Sequence, residues 1–367
     1  MGRYRRCNLR VMTIMKRFLA GLSIAALAAS SLSAQAAAGS DYVIRNFRFE
    51  TGETLPELRI HYQTLGKPRK DAAGVVRNAV IILHGTGGSG GAFMGQGFAG
   101  ELFGPGQLLD TARYYIILPD GIGHGRSSKP SDGMRARFPK YSYTDMVAAQ
   151  HELLEKGLGV NHLRLVMGTS MGCMHAWVWG ERYPDFVDGL VPLACAPTQI
   201  AGRNRMIRTM IMDFIRNDPG YNGGDYETQP AGLRQAMGLL FIMSSAPKVQ
   251  HRQAPTRDKA DSAIRAYLDA NTRSKDANDV WYQFNASTTY DPSPYLEKIK
   301  ARVLAINSAD DFVNPPELGI VEPLLKRVKN GRFVLLPITD QTRGHGTHSQ
   351  PAVWKNYLAE FLKSLPQ

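Results

Sequence analysis

One stretch near the middle of the chain constrains the fold more than any other. It reads LRLVMGTSMGCMHAWVWGERYPD and occupies residues 163–185. An apolar run of strand length is followed by the turn GTSMG at 168–172 and then by a helical pattern that ends at Tyr183-Pro184. Glycines at both ends of the turn leave room for a strand and a helix to pass close to each other. The pattern therefore predicts a strand–turn–helix unit that raises Ser170 above the edge of a sheet.

A strand, G-x-S-x-G and a helix in this order form the nucleophile elbow of the α/β-hydrolase fold. The serine at the centre of the elbow, Ser170, is thus the predicted nucleophile. The N–H of the next residue, Met171, lies at a helix N-terminus, where partial positive charge collects. We therefore assign Met171 as one donor of the oxyanion hole, the pair of N–H groups that stabilises the charged intermediate.

The rest of the chain alternates between strand and helix patterns. A leading hairpin is predicted over 42–65, and helices over 143–157 and 350–365. Buried strands are predicted over 78–84, 114–119, 186–194, 301–307 and 332–336. This alternation predicts a mostly parallel sheet that is covered by helices on both faces.

The pattern changes between residues 198 and 294. Met and Arg become dense, and short helical stretches alternate with turns rich in Gly, Pro and Asp. We interpret this segment as a helical cap inserted into a core made of residues 37–197 and 295–367.

The acid of a catalytic triad should follow the serine in the sequence and precede the histidine. Two aspartates follow the strand at 301–307, and we favour Asp311 because the Pro315-Pro316 turn fixes its loop. Asp310 is the alternative. Whichever aspartate is not the acid is expected to bind local N–H groups in the turn.

The base should follow the last strand, where GHGTH offers two histidines. His345 lies between two glycines in an adaptable loop and is the favoured base. His348 lies nearer the closing helix and is the alternative, with the simpler role of a residue at the start of that helix. The H-x-x-H spacing lacks a third ligand, so no metal is predicted.

The second oxyanion donor should come from the loop after the strand at 78–84. The sequence there is HGTGG, and we assign the N–H of Thr86, with Gly85 as the alternative. His84 ends a buried strand and is expected to shape the loop by hydrogen bonding. The loop lacks the G-x-x-x-x-G-K-[ST] pattern of a phosphate site, and no cofactor is predicted.

The N-terminus has the pattern of a secretory signal peptide over residues 1–36. Six basic residues precede a short apolar run, and A-x-A follows, so cleavage is expected after Ala36 or Ala38. These basic residues supply half of the net charge of +12, and the rest is scattered without aromatic interleaving, which argues against nucleic acid as a partner. A periplasmic or secreted protein with no stable membrane anchor after cleavage is predicted. Its two remaining cysteines, Cys173 and Cys195, are expected to be buried free thiols, and the alternative that an oxidising compartment permits is a disulfide.

The chain resembles the homoserine O-acetyltransferase family of α/β-hydrolases. The resemblance lies in ETGETLPELRIHYQTLG, in the run AQHELLEKGLGVNHLRLVMGTSMGCMHAWVWGERYPD, in NDPGYNGGDY of the cap, and in the Asp311 and His345 loops. It implies an acyl-enzyme on Ser170, substrate binding by Tyr226 of the cap string, and compatibility with a homodimer.

Two positions depart from the family pattern. Gly346 stands where the family has an Asp directly after the catalytic histidine, and Met212 aligns with an Arg that precedes the Asp-Pro of the cap. Those charges would hold an amino acid's ammonium and carboxylate, and a site without them loses discrimination. We therefore predict a secreted serine hydrolase that cleaves a small-molecule carboxylic ester or related acyl bond. The alternative is an O-acyltransferase that uses acetyl-CoA or another acyl donor.

Overall fold

The structure is a computed structural model and describes residues 39–366. The predicted signal peptide lies outside the described residues. Within the described part of the chain, no helix combines the length and the apolar character needed to cross a membrane.

A twisted sheet of eight strands forms the centre of the described chain. The strands are β1 (Ser40–Arg48), β2 (Thr54–Leu65), β3 (Ala79–Leu83), β4 (Tyr115–Pro119), β5 (Leu163–Thr169), β6 (Val187–Leu193), β7 (Arg302–Ser308) and β8 (Gly331–Leu336). Their spatial order is β1-β2-β4-β3-β5-β6-β7-β8. β1 and β2 form an antiparallel hairpin, β2 pairs antiparallel with β4, and all other neighbours are parallel. The predicted mostly parallel sheet with a leading hairpin is confirmed.

The central strands are apolar on both faces because both faces are covered. In β3, Ile81 and Leu83 belong to one core cluster, whereas Val80 and Ile82 belong to the other. This division follows from the two-residue period of a strand, which sends alternate side chains to opposite faces.

Helices cover both faces of this sheet and also build the cap. They are α1 (Ala99–Leu102), α2 (Tyr143–Glu152), α3 (Met171–Arg182), α4 (Gly202–Arg216), α5 (Ala231–Ser244), α6 (Pro247–Gln253), α7 (Arg257–Ser274), α8 (Ala277–Asn285), α9 (Val321–Leu325) and α10 (Pro351–Ser364). Residues of α2 and α3 pack in one core cluster, and those of α1 and α10 pack in the other. The predicted closing helix is confirmed as α10, in which Trp354, Leu358 and Phe361 are all buried.

The segment between β6 and β7 carries α4 to α8. The sequence predicted short helical stretches here, but α4, α5 and α7 have 15, 14 and 18 residues. The turns rich in Gly, Pro and Asp that suggested frequent interruption lie between these helices and not within them. In α7 no residue is fully buried, although Tyr267 and Leu268 pack against the core.

The parallel strands bring four loops to one edge of the sheet. β3, β5, β7 and β8 run in the same direction, so their carboxyl ends meet where ligands bind in open α/β sheets. The loops that follow these strands carry Thr86, Ser170, Asp311 and His345.

Candidate active site

The turn at Ser170 has the strained backbone of a nucleophile elbow. Ser170 has φ 54° and ψ −109°, a region that non-glycine residues seldom occupy and that costs about 1–3 kcal/mol. The flanking glycines are required sterically: a Cβ on Gly168 would overlap the Gly172 carbonyl, and one on Gly172 would overlap the Leu83 carbonyl. The turn directs the serine hydroxyl toward the loop that carries His345.

Three side chains from separate loops come together here. Ser170 Oγ lies 2.8 Å from His345 Nε2, and His345 Nδ1 lies 2.9 and 3.1 Å from the two carboxylate oxygens of Asp311. An ionised carboxylate can only accept hydrogen bonds, so the hydrogen must lie on Nδ1. Nε2 is then free to accept the serine proton. This is the relation that a serine nucleophile, its base and an orienting acid require.

Asp311 is held as an anion inside the protein. It is 2% exposed, and it accepts hydrogen bonds from Val313 N at 2.8 Å and from Asn314 Nδ2 at 3.2 Å. Burial acts to raise the pKa of Asp311, but the charge and hydrogen bond of His345 and the bonds from Asn314 and Val313 lower it overall. An ionised carboxylate at this position stabilises the imidazolium that forms when His345 takes a proton.

The alternative residues have different contacts. Asp310 accepts from Gly344 N at 2.9 Å and from the Ser308 hydroxyl, so it braces the loop that carries His345. His348 lies in the turn before α10, where Ser349 Oγ is 2.7 Å from its Nδ1. Burial lowers the pKa of His348 to about 3, so this ring is neutral at ordinary pH.

The loop at Gly85–Gly88 lies against the serine. A Cβ on Gly85 would stand 3.3 Å from Ser170 Cβ, and Gly172 N donates to the His84 carbonyl at 3.0 Å, which ties the elbow to this loop. Within residues 39–366, neither Thr86 N–H nor Met171 N–H donates a hydrogen bond. Both remain available for the oxyanion that we assigned to them.

Two cavities open from the serine, with volumes of about 470 and 420 Å³. Both are lined by Ser170, His345, Arg208 and Val313. The first extends between the segments 194–204 and 313–322, and the second extends past the oxyanion loop toward α5 and α8. A substrate can thus place its acyl part in one cavity and its alcohol part in the other.

Arg208 lines both cavities, and the sequence analysis assigned it no role. It is 3% exposed, and its guanidinium donates to Asn204 Oδ1 at 2.8 Å and to Ser287 Oγ at 3.3 Å. No ion pair between Arg208 and a carboxylate occurs within the described residues. A buried guanidinium next to the nucleophile is a natural partner for an anionic substrate group.

The helical repeat of α4 is the sequence pattern that could have drawn attention to Arg208. The resemblance to the family aligns Met212 with the arginine that precedes Asp-Pro. Met212, however, is a buried core residue that lines neither cavity. Arg208 lies one turn earlier on the same face of the helix. A cation is thus present on this face of α4, four positions before Met212, whereas Gly346 carries no charge.

Tyr226, for which the resemblance implies substrate binding, lies in the segment between β6 and β7, and its role stays a prediction. It lines neither cavity, and its hydroxyl accepts a hydrogen bond from Asn278 N at 2.9 Å at the start of α8. Burial raises the pKa of Tyr226, so the hydroxyl stays neutral and serves to join two parts of the cap.

The prediction that Cys173 and Cys195 are free thiols is wrong. Cys173 in the first turn of α3 and Cys195 just beyond β6 form a disulfide, with their Cα atoms 5.9 Å apart. The separation suits a disulfide because β5 and β6 are neighbours and both positions lie just past their ends. Cys195 lines the first cavity, so the bond joins the elbow helix to a wall of the site.

Replacing both cysteines with alanine is expected to lower the free energy of unfolding by about 3 kcal/mol, because the bond closes a loop of 22 residues in the unfolded chain. Urea denaturation with and without a reductant would measure the effect. The reductant should shift the wild-type midpoint and leave the double variant unchanged. Two titratable thiols in the folded, non-reduced wild type would contradict the bond.

Comparisons with known proteins agree with this fold. The profile of the alpha/beta hydrolase fold family matches residues 78–323. A probable acyltransferase from Methanothermobacter thermautotrophicus is 30% identical over 324 residues, which cover 88% of this chain and 97% of the relative. A homoserine O-acetyltransferase from Haloarcula marismortui is 31% identical over 313 residues, which cover 73% of this chain and 75% of the relative.

An acetylester hydrolase from Corynebacterium glutamicum has the same fold, with a TM-score of 0.76 at 21% identity over 89% of this chain and 96% of that one. The chain belongs to the α/β-hydrolase family, in the branch of the homoserine O-acetyltransferases. It is an enzyme of the esterase or acyltransferase kind.

Proposed function

We propose that the protein is a serine hydrolase that cleaves a carboxylic ester or a related acyl bond through an acyl-enzyme on Ser170. The observation that carries the proposal is the continuous contact from Ser170 Oγ through His345 to Asp311, at 2.8 and 2.9 Å. The two unused N–H groups of Thr86 and Met171 complete the requirements for acyl transfer.

The reaction follows from these contacts. Ser170 Oγ attacks the acyl carbon while its proton passes to His345 Nε2, and the oxyanion is received by the Thr86 and Met171 N–H groups. The carbon–oxygen bond to the leaving group then breaks, and His345 gives its proton to the departing alcohol. Water attacks the acyl-enzyme with His345 as base, which releases the acid and restores the Ser170 hydroxyl.

Two features favour water as the acceptor. Gly346 provides no carboxylate for the ammonium of an amino acid. We also propose that the protein is exported, where acetyl-CoA should be scarce. The proposal of export is supported by the pattern of residues 1–36 and by a disulfide, which persists in oxidising compartments. Cell fractionation with mass spectrometry of the purified chain would test it, and an intact N-terminus in the cytoplasmic fraction would contradict it.

Acyl transfer is the second candidate, and Arg208 is the observation that favours it. A buried guanidinium in the cavity suits the carboxylate of an acceptor or of a dicarboxylic acyl group. The relatives named above as acyltransferases point the same way.

The two candidates differ in what they need for turnover. The purified protein is to be given p-nitrophenyl acetate, or acetyl-CoA, with and without candidate hydroxyl acceptors, and the products are to be identified by NMR. Hydrolysis predicts acetate and p-nitrophenolate in water alone. Turnover only with an acceptor, with the acyl group on that acceptor, would overturn hydrolysis in favour of transfer.

We expect Arg208→Met to lower kcat/KM for an ester with a free carboxylate, such as p-nitrophenyl hemisuccinate. The loss should be roughly 10- to 100-fold, because a hydrogen bond to a charged group contributes about 1.5–3 kcal/mol. Steady-state kinetics would show a much smaller effect on p-nitrophenyl butyrate. Arg203→Met is the matched control, since Arg203 lines the same cavity but is exposed and stacks on Phe312. Equal losses on both esters would contradict a role in charge recognition.

A further inference from the structure

A lysine of the cap contacts the oxyanion loop. Lys275 lies between α7 and α8, and its ammonium donates a hydrogen bond to the carbonyl of Gly87, with Nζ 2.7 Å from the oxygen. The side chain is half-buried, and burial lowers the pKa of Lys275, while the charge of Asp279 acts to raise it and that of Lys129 acts to lower it. The cap thus sends a cation to the backbone of the loop that carries Thr86.

Two peptide groups connect the Lys275–Gly87 hydrogen bond to the Thr86 N–H. The peptide that contains the Gly87 carbonyl also contains the Gly88 N–H, which donates to the Gly85 carbonyl at 3.0 Å. The peptide of that carbonyl contains the Thr86 N–H, one of the two assigned oxyanion donors. Because peptide groups are planar and trans, each N–H points away from the carbonyl of its own unit. The ammonium, two peptides and the oxyanion position therefore form one hydrogen-bonded series.

A second donor fixes the last peptide of the series. His84 Nδ1 donates to the Gly85 carbonyl at 2.9 Å, and His84 Nε2 accepts from Gly121 N at 3.0 Å, which sets the tautomer. This arrangement agrees with the expectation that His84 shapes the loop. With two donors on the Gly85 carbonyl, rotation of the peptide would break both bonds, so the direction of the Thr86 N–H is fixed.

We propose that Lys275 is a positioning residue for the oxyanion hole, acting on Thr86 N–H through the Gly87–Gly88 and Gly85–Thr86 peptides. The inference rests on the proposed function, since it requires an oxyanion at Ser170. Hydrogen bonds in series polarise one another, and a cation at the far end strengthens the final donor. A donor that is preorganised in this way lowers the energy of the tetrahedral intermediate more than that of the bound ester.

The test compares Lys275→Met, Lys275→Arg and Lys129→Met by ester kinetics and by inhibition with a trifluoromethyl ketone. The hemiketal that the ketone forms with Ser170 carries an oxyanion, whereas the ground-state ester does not. Lys129 is the matched control because its ammonium also donates to a loop carbonyl, that of Gly125 at 2.8 Å, outside the series. Circular dichroism and urea denaturation report whether each variant is folded, and Lys275→Gln replaces Lys275→Met if the latter does not fold.

The proposal predicts that Lys275→Met lowers kcat about tenfold with KM changed less than about twofold, a fraction of the 100- to 1000-fold loss for removing an oxyanion donor outright. Ketone affinity should fall in step with kcat/KM, Lys275→Arg should recover most of the activity, and Lys129→Met should resemble wild type. An unchanged kcat, a rise in KM alone, or an equal loss in Lys129→Met would overturn the proposal. If wild-type protein hydrolyses no ester, the proposed function falls together with this inference; an active wild type that is indifferent to Lys275→Met overturns the inference alone.

Discussion

Replacing Ser170 with alanine is expected to lower kcat for ester hydrolysis by about 10⁶-fold, the scale found when the nucleophile of a triad is removed. The hydroxyl is the atom that forms the acyl bond, and its hydrogen bond in the site is the 2.8 Å contact with His345. Some residual activity should persist, because the oxyanion hole and substrate binding still assist direct attack by water. Steady-state kinetics with a p-nitrophenyl ester measures the loss.

The fold should tolerate the Ser170 change, because alanine keeps the same Cβ at the same backbone angles. Ser364→Ala is a matched control: the Ser364 hydroxyl donates to the Phe361 carbonyl at the end of α10, away from the site. That control should retain wild-type kinetics. Substantial turnover by a folded Ser170→Ala protein would refute the acyl-enzyme mechanism.

Asp311→Asn is expected to lower kcat by about 10⁴-fold at neutral pH. The asparagine keeps the shape of the side chain, but its amide can donate to Nδ1. The imidazole is then free to hold its hydrogen on Nε2, where it can no longer accept the proton of Ser170. The loss of the negative charge, which is buried in the protein, also removes the partner that stabilises the imidazolium.

Asp310→Asn tests which of the two neighbouring carboxylates is the acid of the triad. Asp310 accepts from the Gly344 N–H of the histidine loop, and the hydrogen bonds of the His345 ring in the described chain go to Asp311 and Ser170, so we expect a loss of about tenfold or less. The pair of variants is to be measured on the same ester across neutral and alkaline pH. If Asp310→Asn were the more damaging of the two, the acid would have been assigned to the wrong residue.

The fold and the relation between Ser170, Asp311 and His345 could be predicted because each depends on local pattern and chain order. The elbow needs small residues at fixed spacing, and in the structure a side chain at Gly168 or Gly172 would overlap neighbouring backbone atoms. Parallel strands then bring the acid and base loops to the same edge of the sheet, whatever their separation in sequence.

Arg208 and the contacts of Tyr226 were not predicted because both depend on how the segment between β6 and β7 packs. The sequence analysis compared single positions and found Met212 where the family has an arginine, so it did not consider Arg208 one turn earlier on the same face of α4. Tyr226 matches the family string, yet its hydroxyl is taken by the backbone at the start of α8. String similarity carries no information about which of several neighbours a side chain selects.

The disulfide was missed for a related reason. Buried thiols and disulfide-bonded cysteines occupy similar apolar surroundings, so burial alone does not distinguish them. The deciding quantity is the 5.9 Å between the Cα atoms of Cys173 and Cys195, which follows from the pairing of β5 with β6.

The most direct test of the central claim is to label the folded protein with a fluorophosphonate and map the modified residue by mass spectrometry. The nucleophile's oxygen forms a bond to phosphorus and fluoride leaves, so the reaction stops at a stable product on the attacking atom. We predict one equivalent of label on Ser170, loss of esterase activity in proportion to labelling, and much slower labelling in Asp311→Asn. Label on another residue, or full esterase activity in protein labelled at Ser170, would contradict the account.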